Sequence, residues 1–365
     1  MYTSEDLLNN ILALGDWETW EESIDQVEKN VTEWKGGKTK NTYQRVYLVG
    51  CGSSYYSGQI GKYFIEDNAN ILAEARQAFS FVHYAKPELI TQDTLVIGIS
   101  TTGNTVATCD ALILAKKCGA DTLAITADPA SKITKIADHS VFTGGPVTVI
   151  VKTFEYVQSL IALYILSFNL GNAGQEQRDK LRKHYLNHLQ HAADISRTFF
   201  DKQQEEIFHL VEKFKDAEMF FMLGNGINTG TAEEAALKLI EMAKIYSDGC
   251  EMEDFFHGRD REITEKSPVF FLAPKNSASE KMKDFLKFNQ IADVPSVVFT
   301  VGGDTEYENL AEEVISLEGI LDEKLTPMVY VSPLYLFCHY LALERGYKPL
   351  DRRYEVGALE VSYKD

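Results

Sequence analysis

Basic side chains are scarce in this chain: 36 Lys and Arg stand against 54 Asp and Glu, a formal net charge of −18. Neutralising nucleic-acid phosphates needs a basic face, so DNA and RNA are excluded as main partners. The same deficit argues against an anionic membrane surface. It does not exclude a small phosphorylated ligand, which feels its own site rather than the total. Long apolar runs are missing too. The nearest, 161–170, is broken by Tyr164 and Ser167 and is shorter than the ~20 residues a bilayer-spanning helix needs. The opening MYTSEDLLNNILALGDWE has no basic stretch followed by an apolar core. No secretory leader is expected, and the chain reads as cytoplasmic. Cysteine is sparse: Cys51, Cys109, Cys118, Cys250 and Cys338 form no CxxC pair. Such a dispersed, odd set reads as reduced thiols, with no disulfide framework and no thiolate metal site. The sequon Asn30-Val31-Thr32 is then a chance match.

What is present suits a large folded protein. A length of 365 residues suggests two or three domains, and 45% apolar residues can build sizeable cores. Helical spacing of apolar residues covers 4–34. A strand-like run at 45–49 ends in Gly50-Cys51-Gly52-Ser53-Ser54, and 57–68 reads as a helix. Short β-branched runs follow at 94–100 and 121–126, with a helix at 105–117 between them. Alternation of this kind implies βαβ units and a parallel sheet. Residues 151–168 read as a buried helix and 175–214 as one or two long amphipathic ones. The pattern then restarts: a strand at 219–223 ending in Gly224-Asn225-Gly226, a helix at 231–246, strands at 269–273 and 296–301, and a helix at 328–343. The restart keeps one offset. Gly226 lies 174 residues after Gly52, Pro274 lies 174 after Ser100, and Pro295 lies 174 after Asp121. The reading is an internal duplication of one α/β domain, joined by the helical segment at 172–214.

Ligands of a parallel α/β sheet bind beyond the carboxyl ends of its strands. Two such ends in the first half are rich in hydroxyls: Gly52-Ser53-Ser54 and Ser100-Thr101-Thr102-Gly103-Asn104-Thr105. Each precedes a helix, whose first N–H groups are unpaired and favour an anion. Ordinary N-capping by Ser and Thr competes with this reading. Two such turns on one sheet favour a phosphate held by neutral donors. Dinucleotide binding is disfavoured, because the third glycine of GxGxxG is Tyr55, and no Gly-Lys-Ser/Thr ends a Walker loop.

The second half is poorer in hydroxyls at the matching turns. Its helix TAEEAALKLIEMAKIY instead carries Glu234, Lys238 and Glu241, spaced by four and three residues and so on one face. The apolar surroundings imply burial, and a buried Glu beside a Lys suits proton transfer. A solvated ion-pair face is the alternative. Glu251-Met252-Glu253-Asp254-Phe255-Phe256-His257-Gly258 follows without simple periodicity, with His257 sixteen residues after Glu241.

Taken together, Gly52-Ser53-Ser54, the SxxGxT element from Ser100 to Thr105, the ALKLxE helix and Phe256-His257-Gly258 resemble the double SIS-domain (sugar isomerase) family. The resemblance covers about residues 40–355. It implies an α/β fold of two tandem SIS domains, each a parallel five-stranded sheet flanked by helices, a flavodoxin-like three-layer sandwich. The implied organisation is a helical segment at 1–40, a phosphate-binding domain at 41–171, a helical linker at 172–214, a second domain at 215–345 and a tail at 346–365. A well-known relative is the isomerase half of glucosamine-6-phosphate synthase. Tyr2 stands where a glutaminase would begin with Cys, so no glutaminase activity is expected. The chain looks more similar to the stand-alone fructosamine-6-phosphate deglycases, on the run from Asp254 to Gly258 and on Leu350-Asp351-Arg352-Arg353-Tyr354.

The resemblance implies roles. Gly52, Ser53, Ser54, Ser100, Thr101, Thr102 and Thr105 would hold the sugar phosphate, with Glu234 and Lys238 orienting the sugar. Glu241 would be the base and His257 the group aiding ring opening, reaching in from the partner subunit of a homodimer or larger homo-oligomer. No metal or organic cofactor is implied. The alternatives are an aldose–ketose isomerase or deaminase of an amino sugar phosphate, and a sensor that binds sugar phosphate without turnover. The chain departs from the family pattern in three places. Val356-Gly357-Ala358-Leu359 carries no lysine before Lys364, Asp254 stands where many relatives have Glu, and Arg259 stands where they have Pro.

Overall fold

The computed structural model describes residues 2–36, 43–144, 151–171, 175–303 and 305–354. The first elements are α1 (Ser4–Leu12), α2 (Trp17–Gly36), β1 (Arg45–Gly50), α3 (Ser53–Ala69), β2 (Leu72–Gln77), α4 (Ala78–Tyr84), β3 (Thr94–Ile99) and α5 (Val106–Lys117). Then come β4 (Asp121–Thr126), α6 (Lys132–Ile136), β5 (His139–Phe142), α7 (Phe154–Asn169), α8 (Gln175–Lys202) and α9 (Gln204–Phe214). The second series is β6 (Met219–Gly224), α10 (Thr229–Lys238), β7 (Tyr246–Glu251), α11 (Met252–Phe255), β8 (Val269–Leu272), α12 (Ser279–Ile291), β9 (Ser296–Val301), β10 (Glu313–Leu317) and α13 (Thr326–Glu344). No helix among the described residues is long and apolar enough to cross a membrane.

Two compact units result. The first carries β1 to β5, α2 from Glu18 onward, and α8 as far as Tyr185. The second carries α1, α8 from Leu186 and everything from α9 to Leu350. Each holds one parallel five-stranded sheet flanked by helices, in the orders β2-β1-β3-β4-β5 and β7-β6-β8-β9-β10. These are the same order written twice. The 174-residue offset carries β1 (from Arg45) onto β6 (from Met219), β2 (from Leu72) onto β7 (from Tyr246) and β5 (from His139) onto β10 (from Glu313). The duplication is therefore visible in strand position as well as in order.

Strands covered on both faces should read as continuous apolar runs rather than alternating ones. In β3, TLVIGI, and β8, VFFL, every residue is buried. Alternate residues serve opposite layers. In the first unit Tyr47, Val49 and Val96 meet Phe81 of α4 and Leu112 of α5. A Cβ on Gly58 would sit 3.3 Å from Leu48 and one on Gly61 2.8 Å from Leu163, so α3 lies close to β1 and α7 on the other face. In the second unit Phe221 and Phe271 pack with Phe285 and Leu286 of α12. Phe220 and Phe270 pack instead against Phe337 of α13, edge-on and tilted, at 5.6 and 5.2 Å between ring centroids. Asn30 of the chance sequon is buried, and its Oδ1 accepts the Phe142 N–H at 2.9 Å.

The second-half helix is shorter than its apolar pattern. It stops at Ala243, because Lys244 adopts a left-handed conformation (φ 56°), and Tyr246 already opens β7. The first helix after β1 is longer than expected and starts at Ser53, right against the strand end.

One buried histidine gives a pH test. His339 of α13 is 2% exposed, and burial pushes its imidazole down to about 4 from 6.5. Between those values the unfolded chain binds a proton that the folded one refuses. The contribution is complete above pH 6.5 and is lost progressively as pH falls toward 4. Between pH 7 and 5 unfolding should become easier by about 2 kcal/mol on this account. Urea midpoints at the two pH values should converge in His339→Gln. An unchanged pH dependence in that variant removes His339 as the cause.

Candidate active site

In the first sheet the chain leaves β1 and β3 toward opposite sides, the strand-order reversal beyond whose carboxyl ends sheets of this kind bind ligands. Both hydroxyl-rich turns lie at that edge. At the β1 end the chain and α3 approach so closely that a Cβ on Gly50 would meet the Ser54 backbone at 2.8 Å. Gly52 then takes φ 54°, a left-handed conformation that only glycine adopts freely. The second unit repeats the device, with a Cβ on Gly224 blocked by Asn228 and with Gly226 at φ 52°.

The turn after β3 is stitched in place. Ser100 Oγ accepts the Gly103 N–H at 3.1 Å and lies 3.1 Å from Thr105 Oγ1. Thr126 Oγ1 donates to the Thr101 carbonyl at 3.1 Å, and the Ile133 N–H to the Gly103 carbonyl at 2.9 Å. Asn104 Oδ1 accepts the Lys132 N–H at 3.2 Å. Gly103 has φ 63° and faces the Ser131 side chain, so no larger residue fits there. Ser100 is buried, Thr101 and Thr105 half-buried, and Thr102 exposed.

These hydroxyls do not cap their helices. Thr105 is the N-cap of α5 yet makes no side-chain cap bond, and the N-cap of α3 is Gly52. A capping Thr looks different in this chain. Thr3 Oγ1 accepts the Asp6 N–H at 3.2 Å and Asp6 answers to the Thr3 N–H at 2.7 Å.

In the second unit α10 runs into a π-helical turn, Leu239–Ala243. Such turns give up regular hydrogen bonding and recur at functional sites. Lys238, just before it, is fully buried. Its Nζ lies 3.1 Å from Glu234 Oε1 and 2.6 Å from Glu241 Oε2. Burial alone would lower the ammonium's proton affinity, but the two carboxylates outweigh it and hold Lys238 protonated, above its ordinary range. The Tyr335 hydroxyl of α13 donates to Glu234 Oε1 at 3.0 Å. Glu234 is fully buried, whereas the Glu241 side chain is 34% exposed. The expectation of a buried Glu241 is therefore corrected: the array starts in the core, and its last carboxylate reaches solvent. Lys244 Nζ closes the turn by donating to the Glu241 carbonyl.

The residues after β7 form a short helix, α11, and a tight turn. Glu251 caps α11 by accepting the Asp254 N–H at 2.9 Å. Phe256 stacks flat on Phe285 at 3.9 Å, which fixes the next residue, His257, on the surface. The His257 side chain is 73% exposed, and its Nε2 lies 3.5 Å from Glu253 Oε1. Arg259 pairs with Asp254 and, through Nε, with Asp248 at 2.9 Å. Two residues that depart from the family pattern are thus each other's partners.

The SIS domain matches this chain twice, at residues 42–167 and 213–345. The chain belongs to the SIS-domain family. Glutamine–fructose-6-phosphate aminotransferase of Thermococcus kodakarensis is 30% identical over 312 residues, 84% of this chain and 50% of the relative. That of Clostridium tetani is 31% identical over 307 residues, 83% of this chain and 49% of the relative. The chain spans about half the length of the curated relatives it matches. Among solved structures, the C-terminal domain of glucosamine-fructose-6-phosphate aminotransferase from Francisella tularensis superposes with a TM-score of 0.78 at 20% identity, over 96% of this chain and 99% of that one. Glucosamine-6-phosphate deaminase from Thermotoga maritima gives a TM-score of 0.73 at 22% identity, over 95% and 97%.

The two SIS domains divide the sequence-derived residues between them. Gly52, Ser53, Ser54, Ser100, Thr101, Thr102 and Thr105 lie at the carboxyl edge of β1 and β3 in the first. Glu234, Lys238 and Glu241 form one ion-paired array in the second. The side chain of His257 pairs with Glu253 and is not part of that array. Tyr335 and Asp248 were not singled out from sequence. Tyr335 sits in the apolar run SPLYLFCHYLAL, where an aromatic residue reads as core, and only the topology brings it to Glu234. The tail from Val356 to Leu359, with Lys364, lies outside the described residues.

Proposed function

We propose that this SIS-domain protein is a phosphosugar-processing enzyme that splits fructosamine 6-phosphates into glucose 6-phosphate and an amine. The observation that carries the reading is the Glu234–Lys238–Glu241 array, with a buried cation shared between two carboxylates of which only Glu241 reaches solvent. A base that must meet substrate has to be accessible, and one that must act repeatedly has to be held. In the proposed reaction Glu241 takes a proton from the first carbon of the open-chain sugar. The electron pair forms the double bond of an enaminol as the carbonyl oxygen takes up a proton, and Glu241 then returns its proton to the second carbon while the nitrogen gives up its own. The result is an imine at the first carbon. Water adds to it, the carbon–nitrogen bond breaks, and the amine leaves with a proton. His257 assists ring opening, from the partner subunit of a homo-oligomer.

The phosphate is assigned to the hydroxyl turns of the first SIS domain. Support comes from their place at the strand-order reversal and from hydroxyls that leave their own helices uncapped. Thr102→Val should weaken hexose 6-phosphate binding about 10-fold, the scale of one hydrogen bond to a charged group. Calorimetric titration of glucose 6-phosphate measures this, and an unchanged affinity removes Thr102 from the phosphate site.

The deciding assay is release of glucose 6-phosphate from a phosphorylated fructosamine, coupled to a dehydrogenase. A second reading has support in the relatives' names: an isomerase or deaminase acting on glucosamine 6-phosphate. Ammonia release from that compound, or its conversion to the isomeric sugar phosphate, without glucose 6-phosphate release from any fructosamine, decides for it. Binding of sugar phosphates without any of these products decides for a sensor.

A further inference from the structure

The acid–base array is held from two directions. Glu234 has 0% exposure, and a carboxylate in that position takes up a proton unless its charge is compensated. One compensating group, Lys238, lies one helical turn further along its own helix. A second is the Tyr335 hydroxyl on α13, at 3.0 Å from the same Oε1. Lys238 is shared: it stands 3.1 Å from Glu234 and 2.6 Å from Glu241. Whatever part of the Glu234 charge the phenol satisfies is a part that the ammonium need not. The shorter of the two Lys238 pairs is the one to Glu241, which is the division a second donor on Glu234 would produce. α13 packs against both α10 and the π-helical turn, and Tyr335 is itself completely buried, so packing holds the phenol in place. A phenylalanine would fill the same space without burying a hydroxyl.

We infer that Tyr335 is a positioning residue, whose hydroxyl anchors Glu234 and so leaves Lys238 drawn onto Glu241. The inference rests on the reading of Glu241 as the base. Tyr335 touches no reacting atom and acts only through Glu234 and Lys238.

The variant is Tyr335→Phe in the full chain. Its crystal structure should show Lys238 Nζ turned to Glu234, with the contact to Glu241 opened beyond ion-pair reach. An array that stays as it is overturns the inference whether or not the protein turns over. In the coupled assay kcat should fall about 10- to 100-fold, the worth of one hydrogen bond to a charged group, with KM and the thermal midpoint nearly unchanged. A lowered thermal midpoint with unchanged kcat per folded molecule marks a structural role only, and also overturns it. The kcat loss should vanish when Tyr335→Phe is made on top of Glu234→Gln, since the amide presents no charge to divide. Equal losses in both backgrounds count against action through Glu234. Should the wild-type protein process none of the sugar phosphates, the proposed function fails, and the crystal structure of the variant still decides for or against Tyr335.

Discussion

Glu241→Gln is expected to lower kcat by about 10³-fold, the middle of the range for loss of a positioned general base, while glucose 6-phosphate binds within a few-fold of wild type. The amide has nearly the shape of the carboxylate, and its oxygen can still accept a hydrogen bond from Lys238, now 2.6 Å from Glu241 Oε2. What it cannot do is take a proton from carbon and return it. Binding should survive, because the proposed phosphate donors belong to a different SIS domain from the Glu241 array. The split between kcat and affinity is the informative part. A merely structural Glu241 would show itself in the unfolding midpoint instead, and one-third of its side chain already lies in solvent. Single-turnover assay and calorimetric titration of the same preparation read both quantities. Turnover near the wild-type rate removes Glu241 from the chemistry.

The sequence revealed the parts of the fold that are buried on both sides. β1, β3, β4, β6, β8 and β9 are short apolar runs, and their spacing gave the offset that the structure repeats. The edge strands were not legible. β2 reads LAEARQ and β7 reads YSDGCE, because an edge strand has fewer neighbours to cover it and its composition drifts toward that of a loop. In the site, residue types and spacing were enough to pick Glu234, Lys238 and Glu241, since separations of four and three bring side chains together on a helix. Exposure was misjudged. AALKLIEMA reads as continuously buried, and nothing in it announces a π-helical turn or the left-handed Lys244 that ends it. Tyr335 lies 101 residues from Glu234, and such a pairing belongs to topology rather than to local pattern. The Arg259–Asp254 pair was half legible: both positions stood out against the family pattern, but not as partners.

Lys238→Met should destabilise the protein by about 3–5 kcal/mol, the usual consequence of stripping one partner from a buried ion pair. Methionine keeps most of the lysine stem, so packing changes little and the loss is electrostatic. Glu234 stays at 0% exposure beside the Tyr335 hydroxyl but has lost the Lys238 ammonium. Adding Glu234→Gln to Lys238→Met removes the stranded charge, and most of the stability should return, because a neutral amide is far less costly to bury than a carboxylate. Turnover should not return with it. In the double variant Glu241 has lost the ammonium that holds it, and a restored fold does not restore that contact. Stability and catalysis therefore part company along one array: Glu234 and Lys238 need each other to fold, and Glu241 needs Lys238 to act. Urea midpoints followed by circular dichroism, with kcat measured on the same three proteins, test both halves. Unfolding of Lys238→Met at the wild-type midpoint would show that no uncompensated charge is buried there, and the account of the array as a charged core feeding one accessible base would fall.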